Sequence, residues 1–538
     1  MATSSDFDDE LVDGTLTEIA SISSHVSLSK EIAMAYEQEG TDGIIRLAES
    51  VKSQHKSASD IVQASFAAAG FGGDISSGAN GNRGKVCSMI NAWIGSCTMD
   101  PQYGGQNALR ILEEFEKEVE RYTNLGDERG ERAAAPAISP DIVTFCLIYT
   151  ALVKSSKFGD PNGVSFDYME ESERIMDRAL RLTKKLGGSK RRKAIAAQRT
   201  RVGTTTDDVA VSPEVEQELK AILGTHFQVL YESDDLLVVN KPSGVSCYHA
   251  KTTPAGKIKS KRKKRQGVDG LASVTADVSL VDALWHCCSG RLSLSTLNPD
   301  AFGVVHRLDR GTSGCIVLAK TNDAHARLLT EFFTRTVRKS YTVLTSPSPD
   351  LSSVNSEDGS SKPTGVYSKS AELTDDSIYI DYPVDGHPAK STYRMIERFI
   401  TNIPTKESFA LGNVTTHTGR KHQVRVHCAN VLKSPVVGDG LYGLKRENCG
   451  VSERSTKKGT KKGRQTVENE TSRTLSVIKS VLGELSTTSS RFFLHASSLL
   501  IPSFGVNVNA EIPSWWEPVI DDLRRRKSEE NSGVDGAC

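Results

Sequence analysis

The stretch VVHRLDRGTSGCIVLAK, Val304 to Lys320, decides the reading of this chain. It sets one acid, Asp309, between two arginines, Arg307 and Arg310, at the end of an apolar strand. Thr312, Ser313 and Gly314 supply a small, turn-forming step. CIVLAK then runs on as a second, β-branched strand. Asp309 is therefore expected on a loop held between strands, where a scaffold can fix a side chain rigidly. Most loop aspartates beside arginines are surface salt bridges of little consequence, so the stretch needs support from elsewhere in the chain.

That support comes from NVTTHTGRKHQVRVHCANVLKSPVVGDGLYG, Asn413 to Gly443. It offers Arg420, Lys421, His422, Arg425 and His427 within a short span. Three histidines, His417, His422 and His427, stand five residues apart, which suits neither one helix face nor one strand face, so a metal site is not expected. A cationic site is. A guanidinium beside a carboxylate keeps it charged and orients it, which a nucleophilic aspartate requires.

The 538 residues suffice for roughly two to four domains. Lys plus Arg and Asp plus Glu both total 67, but the charges cluster. The opening MATSSDFDDELVDG is acidic, whereas KKLGGSKRRK (Lys184 to Lys193) and KIKSKRKKRQ (Lys257 to Gln266) are basic. The second basic run reads as a solvated loop, a nuclear localisation signal or an RNA-binding loop. The ten cysteines are scattered with no CxxC pair, and the adjacent Cys287 and Cys288 make no zinc knuckle alone, so reduced core cysteines are expected. No apolar run approaches the roughly 20 residues of a membrane span. The N-terminus has neither an apolar core nor the Arg-rich, acid-poor composition of a targeting peptide. A cytoplasmic or nuclear location is expected, or a mitochondrion or plastid if further sequence precedes Met1.

Up to about Lys193 the periodicity is helical. NALRILEEFEKEVERY aligns Leu109, Leu112, Phe115 and Val119, and DYMEESERIMDRALRLTKK aligns Met169, Ile175, Met176, Ala179 and Leu182. VCSMINAWIGSC with ALRILEEFEKEVE, and SPDIVTFCLIYTALVKSSKFG with ERIMDRALRLTKK, resemble pentatricopeptide repeats, although they lie further apart than the unit of about 35 residues. Such repeats stack and read single-stranded RNA; an ordinary helical scaffold is the alternative. A basic linker, Leu186 to about Pro213, leads into strands at Val229–Tyr231 and Leu236–Asn240, the latter ended by Pro242 and Gly244.

LLVVNKPSGVSCYH, SLVDALWHC, GVVHRLDRGTSGCIVLAK, KSYTVL, the TGR-x-HQ-x-R-x-H run with PVVGDGLYG, and FFLHASSLLIP stand in this order in the chain. In these motifs and their order the segment Val229 to Pro502 resembles the RluA family of pseudouridine synthases. Gly311 stands where the family often has an acid, and Lys421 where it often has threonine. The resemblance implies an α+β fold, a central mixed and largely antiparallel sheet with a catalytic cleft, here preceded by an α-helical repeat-like domain. The expected plan is an acidic tail (1–30), a helical region (31–193), a linker (194–225), a catalytic domain (226–520) and a charged tail (521–538). Inserts are expected near 250–275, 346–372 and 446–488.

The resemblance further implies isomerisation of uridine in RNA, ribosomal, transfer or messenger, by a monomer without cofactor or metal. Asp309 matches the aspartate that attacks the uridine, Tyr341 the tyrosine that stacks on the base and takes part in removing the C5 proton, and Arg425 the aspartate's basic partner. Val424 is expected in the apolar floor, and Arg307 in the gap left by a flipped base. Arg310 is expected to brace the loop or a phosphate. His306, Arg420 and His422 complete the expected substrate-binding set. The rival reading is a catalytically silent RNA clamp.

Overall fold

The computed structural model describes residues 28–52, 56–71, 82–128, 138–158, 166–186, 211–248, 278–288, 294–298, 301–349, 366–368, 377–401, 407–443 and 491–534. The acidic opening, the basic run Lys257–Gln266 and most of the three inserts lie outside these residues. The chain forms two compact units: residues 1–192 with 322–334, and residues 193–321 with 335–538.

The first unit is helical: α1 (28–39), then α2 (Thr41–Lys52), α3 (Ala58–Ala68), α4 (Asn82–Cys97), α5 (Gly104–Glu128), α6 (Ile142–Ser155) and α7 (Tyr168–Leu186). Helices pack on neighbours one or two places along: α2 on α4, α3 on α5, α4 on α5 and α6, α6 on α7. α6 is apolar nearly all round and buries Phe145, Cys146, Leu147, Ile148, Ala151 and Leu152, as a central helix must. Its start is well built. Asp141 caps it, accepting from the Thr144 N–H at 2.8 Å while Thr144 Oγ1 accepts from the Asp141 N–H at 3.0 Å. Asn91 of α4 ties in, its Oδ1 accepting from Thr144 Oγ1 at 2.7 Å. The PDIVT sequence is thereby accounted for by capping.

Two expected stripes shift. In α5 the buried face carries Ala108, Ile111, Leu112 and Phe115, with Leu109 and Val119 at its half-buried margins. In α7 Met169 is 52% exposed, and Tyr168, Ser172, Ile175 and Ala179 face inward instead. Their 4-3-4 spacing is one helix face, which a hydrophobicity count misses because Ser172 belongs to it.

The second unit opens with α8 (Pro213–Leu223), β1 (Gln228–Glu232), β2 (Leu236–Lys241) and α9 (Leu280–Cys288). Next come β3 (Ser313–Ala319), β4 (Arg338–Thr345), β5 (Val366–Ser368), β6 (Ser377–Asp381), β7 (Lys390–Thr401), β8 (Glu407–Thr416), β9 (Leu494–Ile501) and β10 (Val506–Asn509). Between β3 and β4 in sequence, α10 (Asn322–Phe333) belongs to the helical unit, where Thr330 Oγ1 meets Thr150 Oγ1 of α6 at 2.9 Å.

The ten strands form one sheet in the order β1-β2-β3-β9-β4-β8-β7-β6-β5, with β10 on β9. Among the described residues only β3 and β9 pair in parallel, over Ser313–His495 and Gly314–Ala496; the other pairs are antiparallel, so the sheet is mixed and largely antiparallel as expected. β2 and β3 are buried along their whole length. α8 and α9 cover this end, with Leu219, Leu280 and Leu284 packed on Leu237, Val239 and Ile316. Residues 521–534 of the expected charged tail are helical. They belong to α12 (Glu517–Val534), which buries Val519, Ile520 and Leu523 with Trp516 against Phe399, Phe409 and Phe493. Among the described residues no helix is long and apolar enough to cross a membrane.

Candidate active site

The Asp309 loop is bolted to the loop after β2. Gly244 N–H donates to the Arg310 carbonyl at 2.8 Å, Arg310 Nε returns a bond to the Gly244 carbonyl at 2.8 Å, and Ser243 Oγ donates to the Gly311 carbonyl at 2.6 Å. Lys241, buried, donates Nζ to the carbonyls of Pro242 at 2.9 Å and Val245 at 2.7 Å. Burial lowers its pKa to about 8. The tight turn itself closes with Thr312 N–H on the Asp309 carbonyl at 3.1 Å.

Behind the turn, Ser313 Oγ meets His495 Nδ1 at 2.8 Å, and His495 Nε2 meets the Ala510 carbonyl at 3.1 Å. Only a carbonyl acceptor at Nε2 fixes the tautomer, so Nδ1 accepts from the serine. Gly314 has φ +114° and an added Cβ would lie 2.2 Å from the Ala496 carbonyl oxygen. Glycine is required there to let β3 approach β9, not to form the turn.

Arg425 sits on the short helix α11 (Gln423–Val426), which continues into a π-helical turn, His427–Val431. Its Nη1 lies 3.0 Å from Asp309 Oδ2. Its Nε and Nη2 grip Asp439 at 2.7 and 2.9 Å. Phe492 and Tyr442 flank the guanidinium, with ring centroids 4.5 and 5.1 Å from Cζ. Burial opposes its charge, but the Asp439 and Asp309 carboxylates outweigh burial and hold its pKa above the ordinary arginine value. Burial also works against the Asp439 charge, yet Arg425 and the N–H groups of Leu441 and Tyr442 keep its carboxyl below the usual range. The arrangement is a fork holding one carboxylate structurally and presenting the other.

Asp309 opens into a cavity of about 290 Å³. Arg307, Tyr341, Arg420, His422, Val424 and Arg425 line it, together with Lys339, Lys421 and Leu494. Five lining cations against one carboxylate suit a polyanion. Tyr341 enters from β4 at a β-bulge between Ser340 and Tyr341. Burial, then the Asp309 charge, pushes its hydroxyl well above the ordinary tyrosine value. At neutral pH it is a phenol, a stacking face and a donor, and not a ready base. Burial likewise brings Lys339 down to about 8. Arg307 is exposed and lies 5.5 Å over the Tyr248 ring at the loop.

The structure brings seven of the nine sequence-expected site residues to this cavity. Arg310 and His306 do not line it. Arg310 braces the loop through Gly244, the first of its two expected roles. His306 is a correction: its Nε2 accepts the Val317 N–H at 3.1 Å, and burial brings its pKa to about 3, so it is a neutral strand-holding group. The spaced histidines are also accounted for. His417 meets Thr392 Oγ1 at 2.9 Å, and His427 meets Ser391 Oγ at 3.1 Å. Among the described residues no cluster of His, Cys, Asp or Glu could hold a metal. Sequence reading missed Asp439 and Tyr442, both in GDGLYG, and Lys241 and Lys339, in NKPSG and KSYTVL; the motifs were visible, but not what their polar members touch.

Residues 235–430 match the family model for RNA pseudouridylate synthase. Ribosomal large subunit pseudouridine synthase D of Zymomonas mobilis is 31% identical over 222 residues, 41% of this chain and 57% of that protein. An uncharacterized RNA pseudouridine synthase of Aquifex aeolicus is 29% identical over 226 residues, 40% of this chain and 56% of its own. The chain thus spans little more than half the length of these relatives. The solved structure of human RNA pseudouridylate synthase domain containing 4 is 20% identical, with a TM-score of 0.31, covering 58% of this chain and 97% of its own.

Proposed function

We propose that this chain is an RNA pseudouridine synthase, with ribosomal RNA the first substrate to test and transfer RNA the second. One observation carries the reading: the Asp309 carboxylate, held by a buried arginine, faces a cation-lined cavity with a phenol ring on its wall. The ribosomal preference rests on the names of the relatives. Chemistry on a base requires taking it out of the stack, at a few kcal/mol. Arg307 at the loop fills the vacated place, and Tyr341 with Val424 and Leu494 gives the flipped base an aromatic face and an apolar floor. Asp309 attacks C1′ of the uridine and displaces N1, the base turns, and C5 then bonds to C1′ and displaces the carboxylate, which restores Asp309. The C5 proton leaves and N1 gains one, so atoms balance without a cofactor.

The helical unit is the RNA-recruiting arm in this proposal. Its stacked, neighbour-on-neighbour packing supports a repeat architecture of the pentatricopeptide kind.

The test is tritium release from RNA labelled at uridine C5, with total RNA from cells lacking the protein as substrate. Release by the wild-type chain that vanishes in Asp309→Ala is expected. No release from any RNA, with RNA binding intact in both chains, overturns the proposal in favour of a silent clamp.

A further inference from the structure

We propose that Tyr442 and His422 act as a positioning pair on Asp309, the tyrosine hydroxyl setting the imidazole so that its Nε2–H faces Oδ1. This rests on the reading of Asp309 as the nucleophile. The two oxygens of Asp309 have different neighbours. Oδ2 lies 3.0 Å from Arg425 Nη1, and Oδ1 lies 3.6 Å from His422 Nε2. The first is a charged hydrogen bond. The second is longer than one, as is common in unliganded sites whose bonds tighten on substrate. Oδ1 is therefore the oxygen free to react, and His422 is what stands beside it.

The tautomer follows from the partners. His422 Nδ1 lies 3.0 Å from the Tyr442 hydroxyl. With the hydroxyl donating, Nδ1 is the acceptor and Nε2 carries the proton. The opposite tautomer would aim the Nε2 lone pair at a carboxylate. Tyr442 is itself fixed. Its N–H donates to Asp439 Oδ1 at 3.2 Å, its ring lies 5.1 Å from the Arg425 guanidinium, and it meets the imidazole edge-on at 5.7 Å. His422 holds a left-handed backbone, φ +60°, uncommon for a side chain of its size and found where surrounding structure imposes it.

Asp309, Arg425, Lys421 and Asp439 are the charged groups that act on the imidazole. Burial lowers its pKa, Asp309 opposes, and Arg425 and Lys421 add to the lowering. The ring is neutral at pH 7. In acid it becomes an imidazolium that pairs with Oδ1 and blunts it, and its new Nδ1–H displaces the tyrosine's donated bond.

Tyr442→Phe is the decisive variant, because it keeps the ring under Arg425 and removes only the hydroxyl. In the full chain, kcat of tritium release should fall about tenfold, the rate equivalent of one orienting hydrogen bond, with KM within about twofold. Nitrogen-15 NMR of histidine-labelled protein should show His422 as one Nε2–H tautomer in the wild type and as a mixture in Tyr442→Phe. His422→Gln, which keeps an N–H without titrating, should retain more kcat than His422→Ala and shift the acid limb of the pH profile. A Tyr442→Phe chain with unchanged kcat, acid limb and tautomer overturns the pair. Should the wild type release no tritium at all, the synthase reading fails by itself, and the NMR comparison still decides whether the hydroxyl sets the ring.

Discussion

The Asp309 loop and the α6 start are each organised around one aspartate, and they differ in what they demand of it. Asp141 needs only an oxygen that accepts from an N–H, and Thr144 and Asn91 share the work. Asp309 is met by more: a buried arginine pairs with it, and a second carboxylate and two aromatic rings hold that arginine. A structural carboxylate sits in a network of interchangeable parts. The Asp309 carboxylate sits among charged parts that few other residues could replace.

The largest break is at Arg425. Arg425→Ala leaves Asp309 and Asp439 facing each other across a buried gap. Removing one partner of a buried charge network costs about 3–5 kcal/mol, and tritium release should fall below detection. Arg425→Met combined with Asp439→Leu should recover most of the stability in urea unfolding but no activity. If the double variant is no more stable than Arg425→Ala, the cost lies in packing against Phe492 and Tyr442, and the charge argument is wrong.

Legibility follows the same division. Asp309, Arg425 and Tyr341 stand out because they lie in dense motifs, and the fold brings the three to one cavity. Asp439 was not, although GDGLYG was in plain view: the bond it makes spans 14 residues, and no spacing rule says that the turn folds back. His306 is less legible: its place beside Asp309 invites a substrate role, whereas its Nε2 accepts from a strand N–H. The C-terminal helix was hidden by DDLRRRKSEE, whose charges outweigh the four anchors Trp516, Val519, Ile520 and Leu523. In α7 the chemistry of Met169 points to the core, but a one-residue offset puts Tyr168 inside instead.

Acid should separate the two units less than mutation does, since both bury histidines. His325 of the helical unit and His427 and His495 of the sheet unit have pKa values brought to about 4, by burial first in each case. Each is neutral when folded and takes a proton near pH 6.5 when unfolded. The stability they contribute is full above pH 6.5, drains as the pH falls towards 4, and stays flat below. A shift of that size is worth about 3 kcal/mol per residue. Urea midpoints at pH 7, 5.5 and 4.5 should fall steadily, and His495→Gln should flatten part of that fall. An unchanged slope in His495→Gln would show that this ring does not stay neutral.

Gly314→Ala comes next, at about 2–3 kcal/mol, because the methyl meets the Ala496 carbonyl and φ is positive. Gly386 also has positive φ, +75°, but nothing stands near its absent Cβ. Gly386→Ala should cost about 1 kcal/mol, from backbone strain alone. Equal losses at the two positions would mean that β3 and β9 can move apart, and that the Asp309 loop is less rigidly mounted than its bonds suggest.

The smallest effect is the most discriminating, because the same substitution is made in both regions. Asp141→Asn keeps a good capping oxygen and should change stability by no more than about 0.5 kcal/mol; Asp141→Ala, which removes it, should cost about 1 kcal/mol. Asp309→Asn is nearly isosteric too, yet an amide is no nucleophile, so release should drop by at least about a thousandfold. Unfolding curves should barely distinguish the two asparagine variants from wild type, while tritium release should separate them completely. Were Asp309→Asn to keep a tenth of the wild-type rate, the carboxylate would be only an orienting group like Asp141, and the reacting atom would have to be sought elsewhere on the cavity wall.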